Sequence, residues 1–274
     1  MRIAATGALE AGKDSSILYR GAYADILSRM KSDGFDAAEL HIPDSREIDR
    51  EALWRDLKAL GMVLTSVGTG SVYGARGYNL VDKDPGIRKK TIAHLEEHMI
   101  TLSPFGGVLI VGLIAGRARD AGAPLEVQKE RLAESLRELD RLAGKHGVTV
   151  GLEMMNRYEC DFLHTIGEGI AFLDDCGGLK NTAIHIDSVS MNISERDIGA
   201  AIRAGRGRIC HVHLADNDRW YPGHAHYDFR ETLQALKDIG YTGALALEMK
   251  MHPDTRTAAR LSLRYLNAVL SILR

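Results

Sequence analysis

The sequence has no excess of charge of either sign. Its 35 lysine and arginine residues nearly balance 37 aspartate and glutamate residues, which leaves a formal net charge of −2. A basic balance is typical of proteins that bind nucleic acid or anionic membranes, so we expect neither partner. No apolar run approaches the length of a membrane span, and the first residues contain no hydrophobic signal-peptide core.

Cysteine is scarce. Cys160, Cys176 and Cys210 form an odd number without the spacing of a metal-binding motif. Because disulfide bonds are rare in the cytoplasm, we expect three reduced thiols and a cytoplasmic location.

Nucleotide-binding motifs are missing as well. Gly68-Thr-Gly70 lacks the third glycine of a dinucleotide fingerprint, and no phosphate-binding P-loop motif is present. The sequence instead alternates eight strand patterns with eight helical patterns, which is typical of a parallel sheet. The predicted strands are residues 2–6, 37–42, 62–67, 107–112, 148–152, 182–187, 208–213 and 244–248. The predicted helices are residues 19–31, 49–60, 84–102, 125–146, 165–176, 192–204, 229–239 and 254–273, and residues 69–82 are predicted as a glycine-rich loop.

Eight strand–helix units in about 250 residues have the size of a (β/α)₈ barrel. We therefore predict an α/β protein with one TIM barrel domain over residues 1–274. An open, doubly wound sheet is the alternative, because the alternation of elements does not show whether the sheet closes.

Four predicted strands end in a polar residue: Glu153, Asp187, His213 and Glu248. Side chains alternate between the two faces of a strand. In each of the four strands the polar residue shares its face with small or polar side chains, and the other face is apolar. Successive polar ends are separated by about one βαβ step of roughly 30 residues. Since barrel enzymes hold their active sites at the carboxyl ends of the strands, we expect these side chains to converge.

Two glutamates, one aspartate and one histidine form an oxygen-rich donor set. Such a set favours Mn²⁺, Mg²⁺ or Co²⁺ over structural zinc, and we expect Mn²⁺. The alternative is a structural cluster of four polar residues that satisfy one another at the barrel mouth. We expect His41 to be an ordinary surface or loop residue.

Four segments carry a family resemblance. They are residues 152–159 (LEMMNRYE), 187–192 (DSVSMN), 211–223 (HVHLADNDRWYPG) and 240–248 (GYTGALALE). Together they resemble the sugar isomerase/epimerase family of xylose-isomerase-like TIM barrels, and within it the D-tagatose 3-epimerase and D-psicose (allulose) 3-epimerase group. The likeness is strong over residues 148–253 and only topological before them.

The resemblance implies roles for the four strand-end residues. Glu153 and Glu248 match the paired carboxylates that bind the metal and exchange the proton of the substrate. Asp187 and His213 match the other metal ligands.

The family resemblance also implies which residues contact the substrate. Glu159 and Arg219 match the pair that contacts the substrate near the metal. Ser190 stands where the family usually has a histidine that contacts substrate oxygens, so we place Ser190 on the substrate side too. We expect a small sugar substrate and a homo-oligomer, either a dimer or a tetramer.

The expected reaction is epimerisation or isomerisation of a ketose or related keto-sugar. A divalent ion stabilises the enediolate that forms when a proton next to a carbonyl is removed. Two glutamates could remove this proton on one side and return it on the other, which gives epimerisation. Return to the neighbouring carbon gives aldose–ketose isomerisation instead.

Three alternatives stay open from the sequence. A keto-sugar or keto-inositol lyase or dehydratase would use the same metal and base. An endonuclease IV-like DNA-repair enzyme shares the fold but needs a three-zinc cluster with more histidines. A non-catalytic sugar-binding barrel would bind its ligand without exchanging protons with solvent.

Overall fold

The computed structural model describes residues 1–273 and shows a closed barrel of parallel strands surrounded by helices. The strands are β1 Arg2–Ala8, β2 Tyr19–Arg20, β3 Ala37–His41, β4 Val63–Gly68, β5 Val108–Val111, β6 Thr149–Met154, β7 Thr182–Asp187, β8 Ile209–Leu214 and β9 Ala244–Leu247. The α-helices are α1 Tyr23–Asp33, α2 Arg50–Ala59, α3 Gly70–Arg76, α4 Pro85–Leu102, α5 Ala118–Ala121, α6 Leu125–His146, α7 Ile166–Cys176, α8 Ser188–Ser194, α9 Ile198–Ala204, α10 Phe229–Asp238 and α11 Thr255–Ile272. Short 3₁₀ helices cover Ser103–Phe105 and Leu113–Ala115.

The barrel closes where β1 pairs with β9. Arg2 lies opposite Ala244, and Ala5 lies opposite Leu247. On its other side β1 pairs with β3, and β3 to β9 follow one another in chain order. The predicted (β/α)₈ barrel is therefore confirmed, and the open-sheet alternative is wrong.

The eight predicted barrel strands are all present, and the main differences lie in the helices and loops. The first helix begins at Tyr23 and not at Tyr19. Tyr19 is fully buried in β2, which adds a short strand beside the end of β1. The predicted loop over residues 69–82 contains helix α3.

The predicted helix over residues 192–204 is in fact two helices, α8 and α9. Glu195 has an extended backbone at the end of α8. Asp197 then caps α9 by accepting the N–H of Ala200 at 2.8 Å. An aspartate at this position favours a new helix start over continuation of the old one.

The faces of the strands agree with the alternation in the sequence. Leu152, Ile186 and Val212 belong to the large apolar core that also includes the helices. Inside the barrel, four alanines form a small separate cluster: Ala4, Ala37, Ala244 and Ala246. Interior positions further along the strands carry polar side chains, among them Glu39 and His211, which are at most 1% exposed.

Within residues 1–273, no helix is both long and apolar enough to cross a membrane. The three cysteines are unpaired.

Thr6 makes two hydrogen bonds next to the pairing of β1 with β9, where the barrel closes. Its buried hydroxyl donates to the carbonyl oxygen of Leu247 at 2.8 Å and accepts the N–H of Leu18 at 3.1 Å. Thr6→Val keeps the shape but removes both bonds, so we expect the free energy of unfolding to fall by about 1–3 kcal/mol. Denaturant titration measures this change, and Thr6→Ser, which keeps the hydroxyl, is the control. A Val variant as stable as the parent would contradict the expectation.

Candidate active site and metal centre

The structure brings the four polar strand-end residues together. Glu153 lies in β6, Asp187 ends β7, His213 lies in β8, and Glu248 directly follows β9. Glu153, His213 and Glu248 line one cavity of about 90 Å³. Ligand atoms of Asp187, His213 and Glu248 all lie within 4.8 Å of one another. Glu153 makes a second such group with His185 and His213.

A larger cleft, of about 630 Å³, opens at the amino end of the barrel beside Arg2, Gly107 and Ala244. None of the four strand-end residues lines it. We place the candidate site at the smaller cavity because only there do the titratable side chains converge.

Arg219 supplies positive charge between two of the carboxylates. Its Nη1 donates to Asp187 Oδ2 at 2.7 Å and to Glu248 Oε2 at 3.0 Å. Although burial lowers the pKa of Arg219, attraction to these two carboxylates outweighs it and raises the pKa above its ordinary value. Arg219 therefore stays charged and compensates part of the negative charge of the site.

The loop that carries Arg219 is organised by Asp216, a residue that the sequence analysis missed. Asp216 is fully buried. Its carboxylate accepts four backbone N–H groups at 2.9–3.0 Å, from Asn217, Gly223, Ala225 and Tyr227. Its backbone carbonyl accepts the N–H of Arg219 at 2.8 Å. These bonds fix the left-handed backbone of Arg219, whose φ is 65°.

The carboxyl groups of Glu153 and Glu248 differ in pKa. Burial raises the pKa of Glu153, and repulsion from the Glu248 carboxylate raises it further. Burial also raises the pKa of Glu248, but attraction to His213 and Arg219 outweighs this and brings it below the ordinary value. Glu153 therefore binds a proton more readily, while Glu248 stays ionised. An acid and a base that act on one substrate need such a separation.

The place of Glu153 depends on Gly112, which follows β5. A Cβ atom built on Gly112 would lie 2.0 Å from Glu153 Oε2. A side chain at position 112 would therefore push the carboxylate aside.

Glu39 and three histidines form a buried network beneath the cavity, which the sequence analysis also missed. Glu39 accepts hydrogen bonds from Ser66, His41, His211 and His213. His41 lines the cavity, so the expectation of an ordinary surface or loop residue is wrong. A glutamate in the middle of the apolar pattern of β3 was the available signal.

Glu159 and Ser190 meet at the side chain of Asn156. Asn156 Nδ2 donates to Glu159 Oε2 at 2.6 Å and lies 3.4 Å from Ser190 Oγ. Glu159 lines the cavity together with Arg219, and burial raises the pKa of its carboxyl. Ser190 lies behind Asp187, and its backbone N–H donates to Asp187 Oδ1 at 2.8 Å. The structure thus places Glu159 at the cavity and Ser190 behind it.

The residues present fit a divalent cation. Carboxylate oxygens with one imidazole nitrogen suit a hard or borderline ion. The ligand atoms of Asp187, His213 and Glu248 are close enough to share one, and Glu153 belongs to a neighbouring group that also contains His213. The Arg219 guanidinium already lies between Asp187 and Glu248, so this pair is arranged around positive charge. Glu153, Asp187, His213 and Glu248 could hold such an ion.

Comparison with known proteins identifies relatives over most of the chain. An L-ribulose 3-epimerase from Mesorhizobium japonicum is 31% identical over 227 residues, which cover 81% of this chain and 73% of that protein. A D-psicose 3-epimerase from Enterocloster bolteae is 30% identical over 238 residues, covering 82% and 76%. A solved structure of L-ribulose 3-epimerase gives a TM-score of 0.84 at 26% identity, covering 98% of this chain and 94% of that chain.

The family assignment follows from the closed barrel and from these relatives. A family model described as xylose isomerase-like TIM barrel matches residues 27–269. The chain therefore belongs to the xylose isomerase-like TIM barrel family.

Proposed function

We propose that this protein is an epimerase of a ketose or related keto-sugar. The observation that carries the proposal is the pair of carboxyls, Glu153 and Glu248, that border one cavity together with His213 and Arg219. The relatives named as L-ribulose and D-psicose 3-epimerases support the same substrate class.

The positions of the two glutamates suit proton transfer on two sides of a carbon atom. Glu153 comes from β6 and Glu248 from the end of β9, three strands further round the barrel, so they approach the cavity from different directions. One glutamate takes the proton next to the carbonyl, and the other gives one to the opposite face. The reverse reaction exchanges these roles.

We further propose that Glu153, Asp187, His213 and Glu248 hold one divalent ion, with Mn²⁺ as the first choice and Mg²⁺ or Co²⁺ as alternatives. A bound ion would supply positive charge next to the carbonyl and hydroxyl oxygens of the sugar. Arg219 adds fixed positive charge, and Glu159 accepts a hydroxyl hydrogen bond from the substrate. Ser190 is proposed to act on the substrate side through Asn156.

We propose that the protein acts as a homo-oligomer, a dimer or a tetramer, in the cytoplasm. Tyr158, next to Glu159, is 79% exposed, and exposed tyrosine is enriched in protein interfaces. The three unpaired cysteines support a reducing compartment.

Asp187→Asn tests the metal site. The amide keeps the size and one oxygen but loses the charge. We expect metal affinity to fall by more than the roughly 10–100-fold that loss of an outer partner of a ligand costs. Metal analysis after chelation and reloading measures it. Asp197→Asn is the control, because Asp197 caps α9 as Asp187 caps α8. Unchanged affinity in Asp187→Asn would place the metal elsewhere.

Glu153→Gln and Glu248→Gln test proton transfer. Each amide keeps one ligating oxygen but cannot act as a base, so we expect turnover at saturating metal to fall by about 10²–10⁴-fold, in addition to a loss of metal affinity like that of Asp187→Asn. In D₂O with a panel of ketoses, each variant should lose exchange from one epimer. Glu195→Gln, which changes a half-buried carboxyl elsewhere, should act like the parent. Two Gln variants with parental turnover would exclude the proposed mechanism.

Gly112→Ala tests the placement of Glu153. The new Cβ displaces the Glu153 carboxylate, and misplacement of a catalytic group by about 1 Å can cost roughly 10²-fold in rate. We expect a loss of this order with a folded protein, measured by turnover and circular dichroism. The control is Gly74→Ala in α3, where a Cβ meets no atom within 4 Å. Equal activity of the Gly112 variant and the control would mean that Glu153 does not act where the structure places it.

A further inference from the structure

Glu39 is a buried carboxylate that does not line the cavity. It lies in the middle of β3, faces the barrel interior and is 0% exposed. A charge in this position is costly unless several donors surround it. Glu39 has four such donors: Ser66 Oγ at 2.6 Å, His211 Nε2 at 2.8 Å, His213 Nε2 at 2.9 Å and His41 Nε2 at 3.1 Å.

The contact with His213 defines which ring nitrogen carries hydrogen. Both oxygens of Glu39 approach His213 Nε2, at 2.9 Å and 3.0 Å. A carboxylate accepts hydrogen bonds, so Nε2 of His213 must be protonated. The other nitrogen, Nδ1, lies 3.1 Å from His185 Nε2 and 3.5 Å from Glu248 Oε2. This is the nitrogen that the proposed ion would take.

We propose that Glu39 is a positioning residue for the metal centre, which acts through His213. Its carboxylate holds the ring orientation and the Nε2–H tautomer, so that Nδ1 would keep its lone pair for the proposed ion. Ser66, His41 and His211 hold Glu39 in turn. The inference rests on the metal site proposed above, with His213 as a ligand. Carboxylates behind metal-binding histidines raise the basicity of the ligand and its affinity for metal.

Glu39→Gln is the first test, because it keeps the shape and removes the charge. We expect one metal per chain, bound about 10–100-fold more weakly than in the parent, as measured by chelator competition. Asp140→Asn is the matched control. Asp140 is also a buried carboxylate with several donors, including Asn181 N–H and Thr182 Oγ1, but it lies away from the cavity. This control should lose stability and keep its metal affinity.

Nitrogen-15 NMR of the unmodified, Mg²⁺-loaded protein gives a second measurement that needs no variant. We expect His213 with hydrogen on Nε2 and none on Nδ1. Hydrogen on Nδ1 would overturn the proposal even if Glu39→Gln failed to fold.

Two further outcomes separate this proposal from the metal site itself. If His213→Asn keeps full metal affinity, the proposed metal site is wrong. If His213→Asn loses affinity but Glu39→Gln does not, only the role of Glu39 is wrong.

Glu39, His211 and His213 are also close enough to share an ion. Two metals per parent chain, falling to one in Glu39→Gln, would make Glu39 a ligand and overturn the positioning role.

Discussion

The concentration of negative charge at one end of the barrel is the constraint on which the site depends. Five carboxyl groups lie in or beneath the cavity: Glu39, Glu153, Glu159, Asp187 and Glu248. Charges in such a position destabilise a fold unless cations or hydrogen-bond donors compensate them. Arg219 and the imidazoles provide part of that compensation, and a divalent ion would provide more.

The negative charges are compensated unevenly, and this gives Glu153 and Glu248 different pKa values. Glu248 lies against Arg219 and His213. Glu153 has no comparable cation in contact among residues 1–273, and the nearest imidazole, that of His185, is 3.8 Å away. The same side chain thus has a raised pKa at position 153 and a lowered pKa at position 248. The loop after β8 is preorganised by Asp216, so the charge of Arg219 is in place before any substrate arrives.

Much of the fold, and the meeting of the four polar strand ends, could be predicted from the sequence. Strand faces follow from an alternation of period two, which is local, and the meeting of strand ends follows from the parallel topology. Glu39 was missed because it sits inside a strand and not at its end. Asp216 was missed because its partners are backbone N–H groups, which leave no mark in the sequence. Tyr19 was assigned to a helix because its burial against β1 is a tertiary effect.

The hydrogen bonds of Glu39 have a consequence for how the site forms. They join β3 to β8, and the paired residues are 172 and 174 positions apart along the chain. Contacts of such sequence separation form late, since a long loop must close first. The four side chains proposed to bind the metal come from the second half of the chain, but His213 forms its hydrogen bonds with Glu39 only when β3, from the first half, has paired into the barrel. The proposed metal site is therefore complete only when the whole barrel has assembled, and a partly folded chain would bind the ion weakly.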